Sequence, residues 1–66
     1  MNYRLIAITP LGVFTSVLLS ETEKDETVAL IKKPLTFLSF LAIGGPVILQ
    51  KGVIKRSVFR VEEVSA

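Results

Sequence analysis

The side chains that could carry out chemistry in this chain are few, because it contains no His and no Cys. The most common general base and the most reactive nucleophile are therefore both missing. Its serines have no evident activating partner, and an arrangement of Ser57 with Lys55 is the one alternative that the sequence leaves open. A serine on a surface or in a turn is the more common case. We predict that the chain is not an enzyme, has no catalytic residues and binds no cofactor.

Carboxylates form two clusters, and neither predicts a metal site. The cluster at 21–26 is explained by a helix start, where acidic side chains complement the helix dipole. The other is Glu62 with Glu63, and adjacent residues of a strand point to opposite faces. A hard cation needs carboxylates that converge on one point. We therefore predict no metal-binding residues.

Basic residues are concentrated between positions 51 and 60, where half of all Lys and Arg occur: Lys51, Lys55, Arg56 and Arg60. These side chains could contact phosphates of a nucleic acid or a nucleotide. The more common role of such residues is to keep a turn soluble and to discourage strand pairing at an edge. A formal charge of +2 is too small to imply a polyanionic partner by itself. Nucleic-acid or nucleotide binding is thus the second interpretation.

The segment 35–64 predicts three strands that would position these basic residues. Gly44-Gly45 joins the first two strands as a turn, and a single tight helical turn at 51–56 joins the last two. Upstream, 2–8 and 13–19 predict a β-hairpin, because Pro10 and Gly12 suit the early and late positions of a reverse turn.

A helix at about 21–33 is predicted between the hairpins. Ser20 and Glu23 have the spacing of a capping box, and Pro34 ends the helix because it disfavours helical geometry in the residue before it. Val28 and Ile31 form a narrow apolar stripe. The whole chain, 1–66, is expected to be one small α+β domain with the order β-β-α-β-β-(3-10 turn)-β. Its antiparallel sheet is expected to be strongly bent or a partly open barrel.

Apolar residues exceed what so small a domain can bury. Half of the 66 residues are hydrophobic, mean hydropathy is +0.59, and a chain of this size buries only about 60% of its unfolded surface. Both faces of the predicted strand 35–43 are apolar, and so are both faces of the first hairpin. We select four residues as protein-interface candidates: Leu38, Phe40, Ile6 and Ile8. The leading interpretation is a non-catalytic protein-interaction module that self-associates or docks on a larger protein.

A small membrane protein is the third interpretation. The apolar runs 5–19 and 35–49 raise it, but each is shorter than the roughly 18 residues that a spanning helix needs. Each is also interrupted by turn residues, which fits hairpins better. We expect a cytoplasmic protein.

The segment Val47-Ile-Leu-Gln-Lys-Gly-Val-Ile-Lys-Arg-Ser-Val-Phe-Arg-Val resembles the strand, single helical turn and strand that close SH3-like and Sm-like small barrels. The resemblance implies a small bent sheet that often assembles through its edge strands. It does not imply binding of RNA bases, because the Sm loop residues have no clear counterpart here. The size and single-helix layout also resemble small accessory proteins carried by bacteriophages.

Overall fold

A computed structural model describes residues 1–34 and 36–64. Its elements in chain order are β1 Asn2–Thr9, β2 Gly12–Thr15, α1 Glu21–Ile31, β3 Phe37–Ala42, β4 Gly45–Gln50, α2 Lys51–Lys55 and β5 Val58–Val64. The α+β class and the predicted order are confirmed. The turn before β5 is present as α2, which has α-helical rather than 3-10 geometry.

The first sheet is antiparallel and has the strand order β2-β1-β5. Its hairpin places Thr9 opposite Gly12. The Thr9 hydroxyl donates to the Gly12 carbonyl at 2.7 Å and accepts from the Leu11 N–H at 3.1 Å. Gly12 has a φ of 136°, which a side chain would strain. The predicted turn is therefore present, with Pro10-Leu11 as its two loop residues.

The second strand of this hairpin was predicted to continue to Leu19, but it ends at Thr15. Ile6 lies opposite Thr15 and Tyr3 opposite Leu19, so the second strand carries one extra residue between these pairs. An extra residue of this kind is a β-bulge, which bends the strand away from its partner.

Ser16 lies at the bulge, and its hydroxyl replaces the main-chain carbonyl that would otherwise accept the hydrogen bond of the Leu5 N–H. Its side chain is 1% exposed. Its hydroxyl accepts from the Leu5 N–H at 2.8 Å and donates to the Val17 carbonyl at 2.9 Å. The next N–H, that of Val17, donates to the carbonyl of Leu41 in β3 at 3.0 Å. The bulge thus sends the chain from the first sheet to the second.

The second sheet is the antiparallel hairpin of β3 and β4. Gly44, with a φ of 101°, allows the tight turn between Ala42 and Gly45. The predicted strand 35–43 is observed as Phe37–Ala42, while Leu35 lies outside the described residues. A bridge between Ser16 and Ala42 links the two sheets. Over the described residues they do not close into a barrel.

The core lies between the inner faces of the two sheets. Ala7 of β1, Leu38 of β3 and Leu49 of β4 form its buried cluster. Aromatic side chains from three strands pack around this cluster: Phe14, Phe40 and Phe59. Burial of these groups is the main stabilising term that the fold has available.

Helix α1 begins as predicted. The Ser20 hydroxyl accepts from the Glu23 N–H at 3.2 Å, and the Glu23 carboxylate accepts from the Ser20 N–H at 3.0 Å. The helix ends at Ile31, two residues before the predicted end. Ile31 packs against the core cluster, and the Lys24 ammonium lies 4.7 Å from the centre of the Tyr3 ring. These contacts hold an otherwise solvent-exposed helix against the sheets.

The cap makes the start of α1 sensitive to acid. The hydrogen bond from the Ser20 N–H, followed by that with its side chain, lowers the pKa of Glu23 from the ordinary value of 4.5. A carboxylate whose folded pKa is lowered adds stability above its unfolded pKa and loses it as pH falls through the folded value. We expect the melting temperature of the wild type to fall below about pH 4.5 more steeply than that of Glu23→Gln.

Circular dichroism melts between acidic and neutral pH measure this difference. Glu26→Gln is the control, since it removes a carboxylate from the same helix and leaves the cap intact. Parallel pH profiles for the wild type and Glu23→Gln would contradict the prediction.

Candidate protein-interaction surface

The outer face of the first sheet carries a row of exposed apolar side chains. Ile8 lies opposite Val13 of β2 on one side and opposite Val58 of β5 on the other. Val13 is 64% exposed and Val58 is 58% exposed. Ile6 lies on the same face and is half-buried. We call Ile6, Ile8, Val13 and Val58 the first outer patch. The two candidates that sequence reasoning selected in β1 both belong to it.

The second sheet shows a different outcome for its two candidates. Leu38 is 4% exposed and lies in the core cluster, and Phe40 packs against that cluster. Leu38 is therefore not available for docking on the folded chain and Phe40 is only partly exposed, so the prediction is corrected: this face of the strand points to the core. The sequence did not distinguish the faces because both are apolar. The choice depends on contacts with Leu49 and Ala7, which are distant in sequence.

The exposed face of the second sheet consists of other residues. Phe37, Leu41 and Ile48 are 57%, 55% and 62% exposed. Ser39 lies opposite Ile48 and shares this face. We call Phe37, Leu41 and Ile48 the second outer patch. Alternation along the predicted strand groups Phe37 with Leu41, but the addition of Ile48 needs the observed register.

An open groove of about 470 Å³ lies between the tip of the β3–β4 hairpin and β2. Val13 lines one side of it, and Ile43 and Pro46 line the other. Ile43 is 59% exposed. The first outer patch therefore borders a recess that is lined mainly by apolar side chains.

The basic candidates are exposed but do not form one cluster. Lys51 and Lys55 are four residues apart on α2, which puts them on the same side of that turn. Lys55 and Arg56 line an open groove of about 550 Å³ together with apolar residues that include Leu11. Arg60 lies elsewhere, on the outer face of β5 opposite Ile6. Among the described residues, no aromatic side chain lines the groove, so this part of the chain offers no stacking platform of the kind that single-stranded nucleic acids favour.

The Ser57 hydroxyl, which the sequence offered as a possible partner of Lys55, bonds to the main chain. The Ser57 hydroxyl donates to the Val53 carbonyl at 2.6 Å, which closes the end of α2. Its hydrogen bond is therefore to the main chain rather than to Lys55. Within 1–34 and 36–64, no three His, Cys, Asp or Glu side chains come close enough together to hold a metal ion.

In the part of the chain that the structure covers, none of the helices has both the length and the apolar character needed to cross a membrane.

Comparisons with known proteins add no relative: no protein-family model matches the chain, and no curated protein or solved structure matches it either.

Proposed function

We propose that this chain is a small non-catalytic protein-interaction module that binds itself or a larger protein through its two outer patches. The observation that carries the proposal is the distribution of apolar surface. Among the described residues, more large hydrophobic side chains are exposed than buried. Six of the exposed side chains lie on the outward faces of the two sheets, where strand pairing makes them neighbours: Ile8, Val13, Val58, Phe37, Leu41 and Ile48. Contiguous apolar surface of this kind marks interaction sites more often than scattered exposed residues do.

The size of the chain makes this surface important. Its accessible area is 4551 Å², and a standard interface covers about 800 Å² of each partner. One such interface would cover roughly a sixth of the whole surface. Burial of an exposed Val, Ile or Leu side chain contributes about 1.5–3 kcal/mol. A partner that covers one patch can therefore add as much stability as several core contacts.

The polar residues around the patches suit the rim of an interface. Thr15 and Arg60 flank Ile6 across the first sheet, and Gln50 lies opposite Phe37 at the end of the second. Interfaces typically have an apolar centre surrounded by polar side chains that remain partly hydrated. The outer faces therefore have the composition expected of docking surfaces.

Single charges placed in the patches test the proposal. We expect Val13→Asp or Ile48→Asp to abolish association, because a buried carboxylate without a partner is costly. Light scattering coupled to gel filtration measures self-association. A pull-down with the purified chain as bait measures binding of a larger protein.

Leu11→Asp is the matched control. Leu11 is 69% exposed in the first hairpin turn and belongs to neither patch, so this variant should associate like the wild type. Charges at Leu38 or Phe40 are unsuitable, since they would disrupt the core. Equal results for the wild type and both patch variants, in light scattering and in the pull-down alike, would reject the proposed surface.

A further inference from the structure

Strand β5 has one edge that no other described strand covers. The direction of its backbone groups follows from β1. The carbonyls of Tyr3 and Leu5 accept hydrogen bonds from the β2 side, from Leu19 at 2.7 Å and Ser16 at 2.8 Å. Backbone groups alternate in direction along a strand, so the even-numbered residues of β1 bond to β5. Their partners there are also even-numbered: Val58, Arg60, Glu62 and Val64.

The odd-numbered residues of β5 therefore direct their N–H and C=O groups to the free edge. These residues are Phe59, Val61 and Glu63. None of their backbone groups takes part in the cross-element or side-chain hydrogen bonds found among the described residues. A seven-residue strand with such an edge is a template for another strand.

The side chains of β5 select the partner. Arg60 and Glu62 flank Val61 in sequence and share the outer face of the strand, whereas Val61 lies on its inner face. When two copies of β5 lie antiparallel about Val61, Arg60 of each copy faces Glu62 of the other. Val61 of one copy then lies opposite Val61 of the other, and Val58 of each copy lies opposite Val64 of the other. Val61 is 42% exposed and Val58 58% exposed in the single chain, so the pairing also covers apolar surface.

Neighbouring registers are unfavourable. If one strand shifts by one residue, odd-numbered residues of one copy lie opposite even-numbered residues of the other. The backbone groups of the even-numbered residues point to β1, so the hydrogen bonds between the copies are lost. A slip by two residues would place Arg60 opposite Arg60, or Glu62 opposite Glu62, and like charges directly opposite destabilise a strand pair. Among the symmetric antiparallel registers that keep the hydrogen bonds, the one about Val61 pairs both charges.

We propose that β5 pairs antiparallel about Val61 with β5 of a second copy, which joins the two three-stranded sheets into one continuous sheet. The proposal rests on the proposed function in one respect, since the second copy is one of the proteins that the module binds. Such a dimer is symmetric, so each contact occurs twice. The first outer patches of both copies then lie on the same face of the joined sheet.

Another sheet edge, that of β4, suits this role less well. Its outward-directed residues are Pro46, Ile48 and Gln50, as the hairpin register shows. Pro46 has no N–H to donate. Strand β4 also contains no charged residue that could select a register.

Charge reversal provides the test. Arg60→Glu places Glu opposite Glu62 of the second copy at two symmetric positions, and Glu62→Arg places Arg opposite Arg60. We expect each variant alone to dimerise about tenfold or more weakly than the wild type. An equal mixture should recover a heterodimer, because both cross-strand pairs are then of opposite charge. Light scattering coupled to gel filtration should report twice the 7.2 kDa chain mass for the wild type and the mixture.

Amide hydrogen exchange gives a second readout that needs no substitution. In the dimer, the N–H groups of Phe59, Val61 and Glu63 should be protected, and that of Ile48 at the β4 edge should not. Arg56→Glu is the matched control, since it makes the same charge change outside β5 and should leave the dimer intact. Circular dichroism of Glu62→Arg checks its fold, because the new Arg lies opposite Arg4.

The outcomes separate the two proposals. A monomeric wild type, an Arg60→Glu variant that dimerises like the wild type, or a mixture that recovers no heterodimer would overturn edge pairing. If the dimer survives Arg60→Glu but is lost in Val13→Asp, association uses the first outer patch, and the proposed function stands without the edge. A dimer lost in Arg60→Glu and restored by mixing supports edge pairing, whatever the patch variants do.

Discussion

Leu49→Ala is expected to lower the free energy of unfolding by about 2–5 kcal/mol, the range for removing a buried Leu side chain. Leu49 is 1% exposed and lies opposite Leu38 in the core cluster. A chain of this length has a total stability of roughly 3–10 kcal/mol. The variant should therefore lose a large share of the chain's stability. The size of the effect follows from how few residues the core contains.

Urea denaturation followed by circular dichroism measures this loss. The neighbouring Ile48→Ala is the control, because Ile48 is 62% exposed on the other face of the same strand. It removes apolar atoms of similar number and should change stability by less than about 0.5 kcal/mol. Similar losses at the two positions would show that the inward and outward faces of β4 have been assigned incorrectly.

Ser16→Ala is expected to have the second largest effect, about 1–3 kcal/mol of destabilisation. It removes the hydroxyl that accepts from the Leu5 N–H at 2.8 Å. Leu5 is 1% exposed, so water cannot replace this partner without opening the structure. A buried N–H without an acceptor has a larger free-energy cost than the gain from forming an ordinary hydrogen bond.

The position of Ser16 adds a second effect. Its hydroxyl stabilises the bulge that directs the chain toward β3. Loss of the hydroxyl should therefore weaken the link between the sheets, and amide exchange of Val17 and Ile43 should accelerate together. Ser39→Ala is the control, since Ser39 is exposed on β3. A Ser16→Ala variant as stable as Ser39→Ala would contradict the role assigned to this hydroxyl.

Local chemistry explains the elements that could be predicted from sequence. The capping box of Ser20 and Glu23 and the turns at Gly12 and Gly44 each depend on interactions within a few residues. Such signals do not need the rest of the fold. The fold class, the order of the elements and the start of α1 can therefore be predicted from the sequence.

Features that depend on distant residues were not accessible. The inward face of β3 is selected by Leu49 and Ala7 rather than by its own sequence, in which both faces are apolar. The end of β2 depends on the Ser16 hydroxyl reaching Leu5, eleven residues away. A serine within an apolar run gives no sign that it will replace a main-chain acceptor.

The candidate surface shows the same division. Ile6 and Ile8 could be selected from strand alternation alone. Val58 joins them only through the pairing of β1 with β5, which brings together the two ends of the described chain. Arg60 was grouped with Lys51, Lys55 and Arg56 because they are close in sequence. The strand instead places Arg60 on the outer face of the first sheet, opposite Ile6 and away from the basic turn.

The pairing of β1 with β5 also determines when the first sheet can form while the chain is being synthesised. β1 leaves the ribosome before its partner β5, which follows only after both hairpins and α1 have been made. Until then, the even-numbered residues of β1 have no backbone partner on that side, and Phe59 is absent from the core. We expect the nascent chain to form its hairpins and helix early and to complete the first sheet after translation of β5. Arrested chains that lack β5 should be sensitive to protease and should bind chaperones, whereas chains extended by a linker beyond β5 should not.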